Sequence, residues 1–223
     1  MKPTLAFASL LALTTAPGAH AAQLASKDTV QVQTALSGSG VATKETNLGN
    51  LLADAVRQTG HAPIGLVAAD EIVGSASVPA GKADVSALVS TLHYADDPSD
   101  TVVVLNLTGA QLIKVAERSV SRAPEPFEGF LQISGLQIRY NPNQSQGKKV
   151  SLVGVGGSEL DASKTYQVAT TRPIAGGSLG YFQIFNQKDI AEDTGVSIAA
   201  SLKAYLAAHH TINAVVEDRI TTK

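Results

Sequence analysis

Gly176-Gly177-Ser178-Leu179-Gly180 fits G-x-S-x-G, the spacing that lifts a serine hydroxyl out of a sharp turn for nucleophilic attack. Asp189 or Asp193, and then His209 or His210, follow in the Ser, Asp, His order of an α/β-hydrolase. Such an elbow needs a strand running straight into the serine and a helix straight out of it. Here Pro173 precedes, and the aromatic stretch Tyr181 to Phe185 reads as a strand, so a serine hydrolase using Ser178 is the rival reading rather than the leading one. Asp96-Asp97-Pro98-Ser99-Asp100 offers three carboxylates in five residues, a pattern hard cations favour. The same residue types are plain turn formers, and no Gly-and-Glu loop pattern accompanies them. Ser37-Gly38-Ser39-Gly40, Gly81-Lys82 and Gly147-Lys148 all lack the G-x-x-x-x-G-K-[ST] spacing of a phosphate-cradling loop.

The elements that must position these residues can be read from periodicity. Leu48, Leu51, Leu52, Ala55 and Val56 recur at helical spacing, so the stretch from Glu45 to Arg57 is the clearest helix, with Asn50, Asp54 and Arg57 on its other face. Thr46 or Asn47 can cap its first turn, and Gly60 can end it in the left-handed conformation. Gly49 and Asn50 are poor helix formers, which hints that backbone or amide is used there. A buried strand is expected at Ile64 to Ala68, then a helix capped by Asp84 with Val85, Leu88, Val89 and Leu92 as its stripe. Val102 to Leu107 is a β-branched strand leading into a helix capped by Thr108. Phe130 to Ile133, Leu136 to Tyr140, Val150 to Val155 and Tyr166 to Thr171 read as further strands, largely antiparallel. Ile198, Leu202, Tyr205 and Leu206 mark a last helix, and Val215 to Ile220 could return to the sheet.

The 223 residues are 44% hydrophobic, enough for a sizeable core, and carry a formal charge of −2 without runs of either sign. Nucleic acid is therefore not an expected partner. Without cysteine there is neither a disulfide nor a lipid-attachment site. Lys2, the apolar run Leu5 to Leu13, the break at Pro17-Gly18 and Ala19-His20-Ala21 together predict a secretory signal peptide over residues 1–21. The remainder, 22–223, is expected to be one domain, periplasmic or secreted, with no membrane span.

Glu45-Thr46-Asn47-Leu48-Gly49-Asn50-Leu51 with Asp54-Ala55 resembles the opening helix of the C-terminal domain of the 5'-nucleotidase and UDP-sugar hydrolase family. Leu107 to Leu112, Gly129 to Leu136, and Thr165 to Thr170 ahead of Gly176-Gly177 are similar to further strings of that family, in its order. The resemblance implies an α+β fold: a mixed, largely antiparallel sheet flanked by helices. It also implies a division of labour in which a metallophosphatase domain carries two metals and this domain grips the nucleotide. The family's Asn-His-Asp/Glu metal string has no match among His61, His93, His209 and His210, so no cofactor and no metal ligands are expected of this chain.

The resemblance places the ligand at Tyr94, in the position of a base-stacking phenylalanine, with Asp96 beside it. The second stacking position falls on Arg172, and the turn that follows supplies Gly176, Gly177 and Ser178. Asn47 and Asn50 on the opening helix complete the expected set. The family's glycine-rich Asn-Gly-Gly-Gly-Ile-Arg loop is Ala68-Ala69-Asp70-Glu71-Ile72-Val73 here, and Ala42 stands near another family arginine, with Lys44 the nearest cation. Carboxylates in place of bidentate donors argue against gripping a phosphate. The expected function is a stand-alone binding domain for a nucleoside- or nucleotide-like small molecule, serving nucleotide breakdown with a separate metallophosphatase chain. A ligand-free interaction module is the third reading.

Overall fold

The computed structural model describes residues 28–223; the predicted signal peptide lies outside the described residues. In chain order the elements are β1 (Thr29–Val32), β2 (Leu36–Ser37), α1 (Asn47–Thr59), β3 (Ile64–Ala68), β4 (Ser77–Val78), β5 (Gly81–Asp84), α2 (Val85–Val89), β6 (Thr101–Thr108) and α3 (Gly109–Ser119). They continue with β7 (Leu131–Ser134), β8 (Leu136–Tyr140), β9 (Val150–Val155), β10 (Ser158–Glu159), β11 (Thr165–Thr171), α4 (Arg172–Ala175), β12 (Ile190–Ser197), α5 (Ile198–Ala208), β13 (Thr211–Ile212) and β14 (Ile220–Thr222). A five-stranded sheet in the order β12-β6-β11-β3-β7 is the centre, with smaller sheets β10-β9-β8-β14, β13-β1-β5 and β2-β4. β11 with β3, β14 with β8 and β1 with β13 run parallel, and the other pairs are antiparallel. The fold is α+β with a mixed, largely antiparallel sheet, as the sequence suggests.

Both faces of the central sheet are covered, so its strands read as continuous apolar runs whose side chains alternate between two cores. Ile64, Leu66, Val103, Leu105 and Leu107 join Leu112 and Val115 of α3 on one face. Val67, Val102 and Ala169 join α1 and α5 on the other. Helix α1 is fixed to the sheet through Gln132 of β7. Its Oε1 accepts the Thr46 N–H at 2.9 Å, while its Nε2 donates to the carbonyls of Val41 at 2.9 Å and Lys44 at 2.8 Å. A Cβ at position 49 would fall on the Gln132 side chain, which is why a glycine sits inside the first turn of a helix. Thr46 caps that turn, accepting from the Gly49 N–H at 3.0 Å.

Several local expectations change. Gly60 is right-handed (φ −78°), and the left-handed residue is His61 (φ 47°). Helix α2 stops at Val89 and Asp84 makes no capping bond; Leu92 instead bridges to Ile72. Tyr181 to Phe185 is not a strand. Leu179 (φ 57°) and Gly180 (φ 85°) turn the chain into a 3-10 segment, Ser178–Gln183, and the Tyr181 and Phe185 rings stack 5.7 Å apart inside the core. Of the C-terminal stretch only Ile220–Thr222 enters a sheet.

Candidate ligand-binding site

Tyr94 is 43% exposed, and its hydroxyl donates to Asp70 Oδ2 at 3.3 Å. Asp70 lies in the 3-10 turn Ala69–Glu71 at the end of β3, whose Asp70 N–H donates to the Glu128 carbonyl and whose Ala69 N–H donates to the Phe130 carbonyl. His93 Nδ1 is 2.7 Å from the Asp70 carbonyl, and the His93 N–H donates to the Glu71 carbonyl, so the His93-Tyr94 turn is tied to that 3-10 turn from both sides. The Asp70 charge, then burial, pushes the Tyr94 phenol above its ordinary pKa.

Beneath this turn Glu71 is 3% exposed and Asp100 2% exposed. Thr171 Oγ1 donates to Glu71 Oε1 at 2.9 Å, while Glu71 Oε2 and both Asp100 carboxyl oxygens are buried with no other hydrogen-bond partner. Burial first, then the Asp100 charge, pushes Glu71 up to about 8, and burial raises Asp100 as well. One proton therefore belongs to the pair near neutral pH. Thr171 leads into Arg172, whose Nε donates to Thr101 Oγ1 at 3.1 Å and whose guanidinium pairs with Asp193 of β12. Tyr94 and Arg172 are thus joined through Asp70, Glu71 and Thr171 rather than face to face, and the guanidinium is already engaged.

Gly176 ends α4, and Gly177 (φ 95°) opens the turn carrying Ser178, Leu179 and Gly180. The turn is latched from below: Arg118 Nε donates to the Leu179 carbonyl at 2.8 Å with its guanidinium 4.6 Å over the Phe127 ring, and Tyr181 Oη donates to the Gly129 carbonyl at 2.8 Å. Phe182, 63% exposed, projects from it, an aromatic that sequence pattern hides because it lies in an apparent strand. Ser178 is exposed with neither histidine at hand. His209 Nε2 is 3.0 Å from Gln58 Oε1, Asp193 holds Arg172, and Asp189 accepts the Asn186 N–H at 2.9 Å. The strand, serine, helix order of a hydrolase elbow is not built.

The remaining expected residues lie elsewhere. Asn47 Oδ1 accepts the Ser37 N–H at 2.9 Å and its Nδ2 donates to the Ala35 carbonyl at 2.8 Å. Asn50, 1% exposed, donates to Glu45 Oε1 at 2.6 Å and the Val215 carbonyl at 2.8 Å. Both amides fasten chain segments onto α1. Asp96 lines a groove of about 1170 Å3 between α2 and α5, with Val85, Val89, Leu206 and Lys203. Asp97 accepts from the N–H and Oγ of Ser99, as a turn former does, and no three His, Asp or Glu side chains converge as metal ligands among the described residues.

This fold and these docked strings define a class. The family described as 5'-nucleotidase, C-terminal domain, matches residues 20–187, three quarters of the sequence, and the chain belongs to that family. Among its relatives, the Bacillus subtilis trifunctional nucleotide phosphoesterase protein YfkN is 26% identical over 162 residues, covering 70% of this chain and 11% of that protein. The 5'-nucleotidase of Diplobatis ommata is 25% identical over 196 residues, covering 79% and 33%. In three dimensions the chain is similar to the crystal structure of a 5'-nucleotidase precursor from Thermus thermophilus, with a TM-score of 0.77 and 28% identity over 89% of this chain and 40% of that one. The chain therefore spans well under half the length of these proteins. Among the described residues no helix is long and apolar enough to cross a membrane.

Proposed function

We propose that the chain is an exported, free-standing ligand-binding domain that holds a flat, nucleoside-like group against Tyr94, and that a separate metallophosphatase chain supplies hydrolysis. The observation carrying this reading is the Tyr94 ring, 43% exposed while its hydroxyl is anchored to Asp70, in a chain of this family. A large aromatic held by its polar end and left open on its face is suited to stacking. The Gly176 and Gly177 N–H groups are spent on the Arg172 and Ile174 carbonyls, so Ser178 is the exposed polar residue of that turn, and Asp96 lines the separate groove between α2 and α5. Arg172, Asn47 and Asn50 support the framework instead, since they donate to Asp193, Thr101, Ala35 and Val215. Asp70 and Glu71 stand where the family presents donors to phosphate, so the nucleoside without its phosphate is the preferred form.

Calorimetric titration of adenosine, uridine and their monophosphates into wild type and Tyr94→Ala tests this. Nucleosides are expected to bind weakly and more tightly than the monophosphates, with binding lost in the variant. Tighter binding of the monophosphates, or equal binding to the variant, would overturn it.

A further inference from the structure

Two segments bring carboxylates toward the Tyr94 ring. Asp70 and Glu71 come from the turn after β3, and Glu128 comes from the loop before β7, where its carbonyl accepts the Asp70 N–H. The negative charges of Asp70, most strongly, and of Glu128 act on the phenol, whereas Glu71, buried beneath the turn and pushed up to about 8, is largely protonated at neutral pH. None of the three is in an ion pair among the described residues. The nearby cations are engaged elsewhere: Arg172 with Asp193, and Arg118 over Phe127 and on the Leu179 carbonyl. His93 stands edge-on, 6.1 Å from the Tyr94 ring, with Nδ1 turned to the Asp70 carbonyl. The outer face of an electron-rich ring is thus open inside an uncompensated negative rim. A cation over such a face is attracted by the ring quadrupole and by the carboxylates together, and an anion is repelled by both.

We propose that the Tyr94 site selects a positively charged flat heterocycle, such as a ring-methylated nucleobase, with the charge over the phenol and facing Asp70 and Glu128. The inference rests on the reading of Tyr94 as the stacking wall and adds the charge of the ligand to it. It also gives Asp70, in the stretch that departs from a phosphate-gripping loop, a role toward the ligand rather than the mere withdrawal of a donor.

Two isomers separate charge from size. 1-Methyladenosine is a cation at neutral pH, whereas N6-methyladenosine has the same heavy atoms and is neutral. Calorimetry at pH 7 in low salt is expected to show the cation binding about fivefold tighter or more. The preference should shrink to within about twofold in Asp70→Asn/Glu128→Gln, which retains an acceptor for the Tyr94 hydroxyl, and should weaken as salt screens the rim. Equal binding of the isomers, tighter binding of the neutral one, or a preference that survives in the double variant would overturn the inference. Equal binding that is lost in Tyr94→Ala leaves the nucleoside reading standing alone. Failure of adenosine and both isomers to bind brings down the two together.

Discussion

Glu71 and Asp100 are the residues on which acidity should register. Glu71 keeps its proton to about 8 in the folded chain, against about 4.3 for an ordinary unfolded glutamate. The folded state therefore binds more protons across that window, and stability falls as pH rises through it and levels off above. Thermal melts are expected to show a lower midpoint at pH 8.5 than at pH 5.5 by several degrees. Glu71→Gln, which keeps a donor toward Asp100, should flatten the dependence, and an unchanged slope in that variant would remove the shared proton from the account. Neither partner is conspicuous in the sequence: Glu71 reads as a lost arginine's neighbour and Asp100 as the end of an acidic turn, because nothing local shows that the chain between them folds back to join the two. Gly49 is the opposite case. Its oddity inside a helix is legible, and Gln132 explains it. Gly49→Ala should cost about 1–3 kcal/mol in a denaturant titration, as overpacking does, without touching the Tyr94 site.

At the scale of elements, period alone marks α1, α3, α5 and most strands, because each has a face or two faces to bury. It fails at Tyr181 to Phe185, where apolar residues at alternate positions fit a strand and the same residues at a spacing of four fit a turn. Leu179 decides between them. A leucine at φ 57° is costly, and the segment tolerates it because Arg118 grips its carbonyl and Tyr181 anchors to Gly129. Arg118→Ala is expected to destabilise the chain by about 1–3 kcal/mol, the range for a charged hydrogen bond and its orphaned acceptor. Hydrogen exchange should show the loss first at the Phe182 and Ile184 amides. Protection there equal to wild type would mean that the turn is held by its own packing.

Over the whole molecule, the polar face of α1 is a bonded seam, buried at Asn50, half-buried at Asp54 and exposed at Arg57. Arg219 pairs with Asp54 through both nitrogens, at 2.9 and 3.0 Å, and donates to the Ile133 carbonyl at 2.8 Å. Ser134 Oγ donates to Asp54 at 2.5 Å and accepts from Arg57, while Glu45 accepts the N–H groups of Glu217 and Ile220. The helical stripe of Asn50, Asp54 and Arg57 is visible in the sequence, but Val215 and Arg219, which close onto Asn50 and Asp54, each lie 165 residues further on, so a helix pattern cannot tell a seam from a solvated face. Asp54→Ala strands the Arg219 guanidinium and should cost on the order of 3 kcal/mol by chemical denaturation. The seam also sets a timetable. A helix near the front of the chain waits for residues 217–222 before its charged groups meet their partners, so a nascent chain halted at residue 210 should be cleaved readily by protease where the completed chain resists. A polypeptide that cannot close early stays threadable until its last strand arrives.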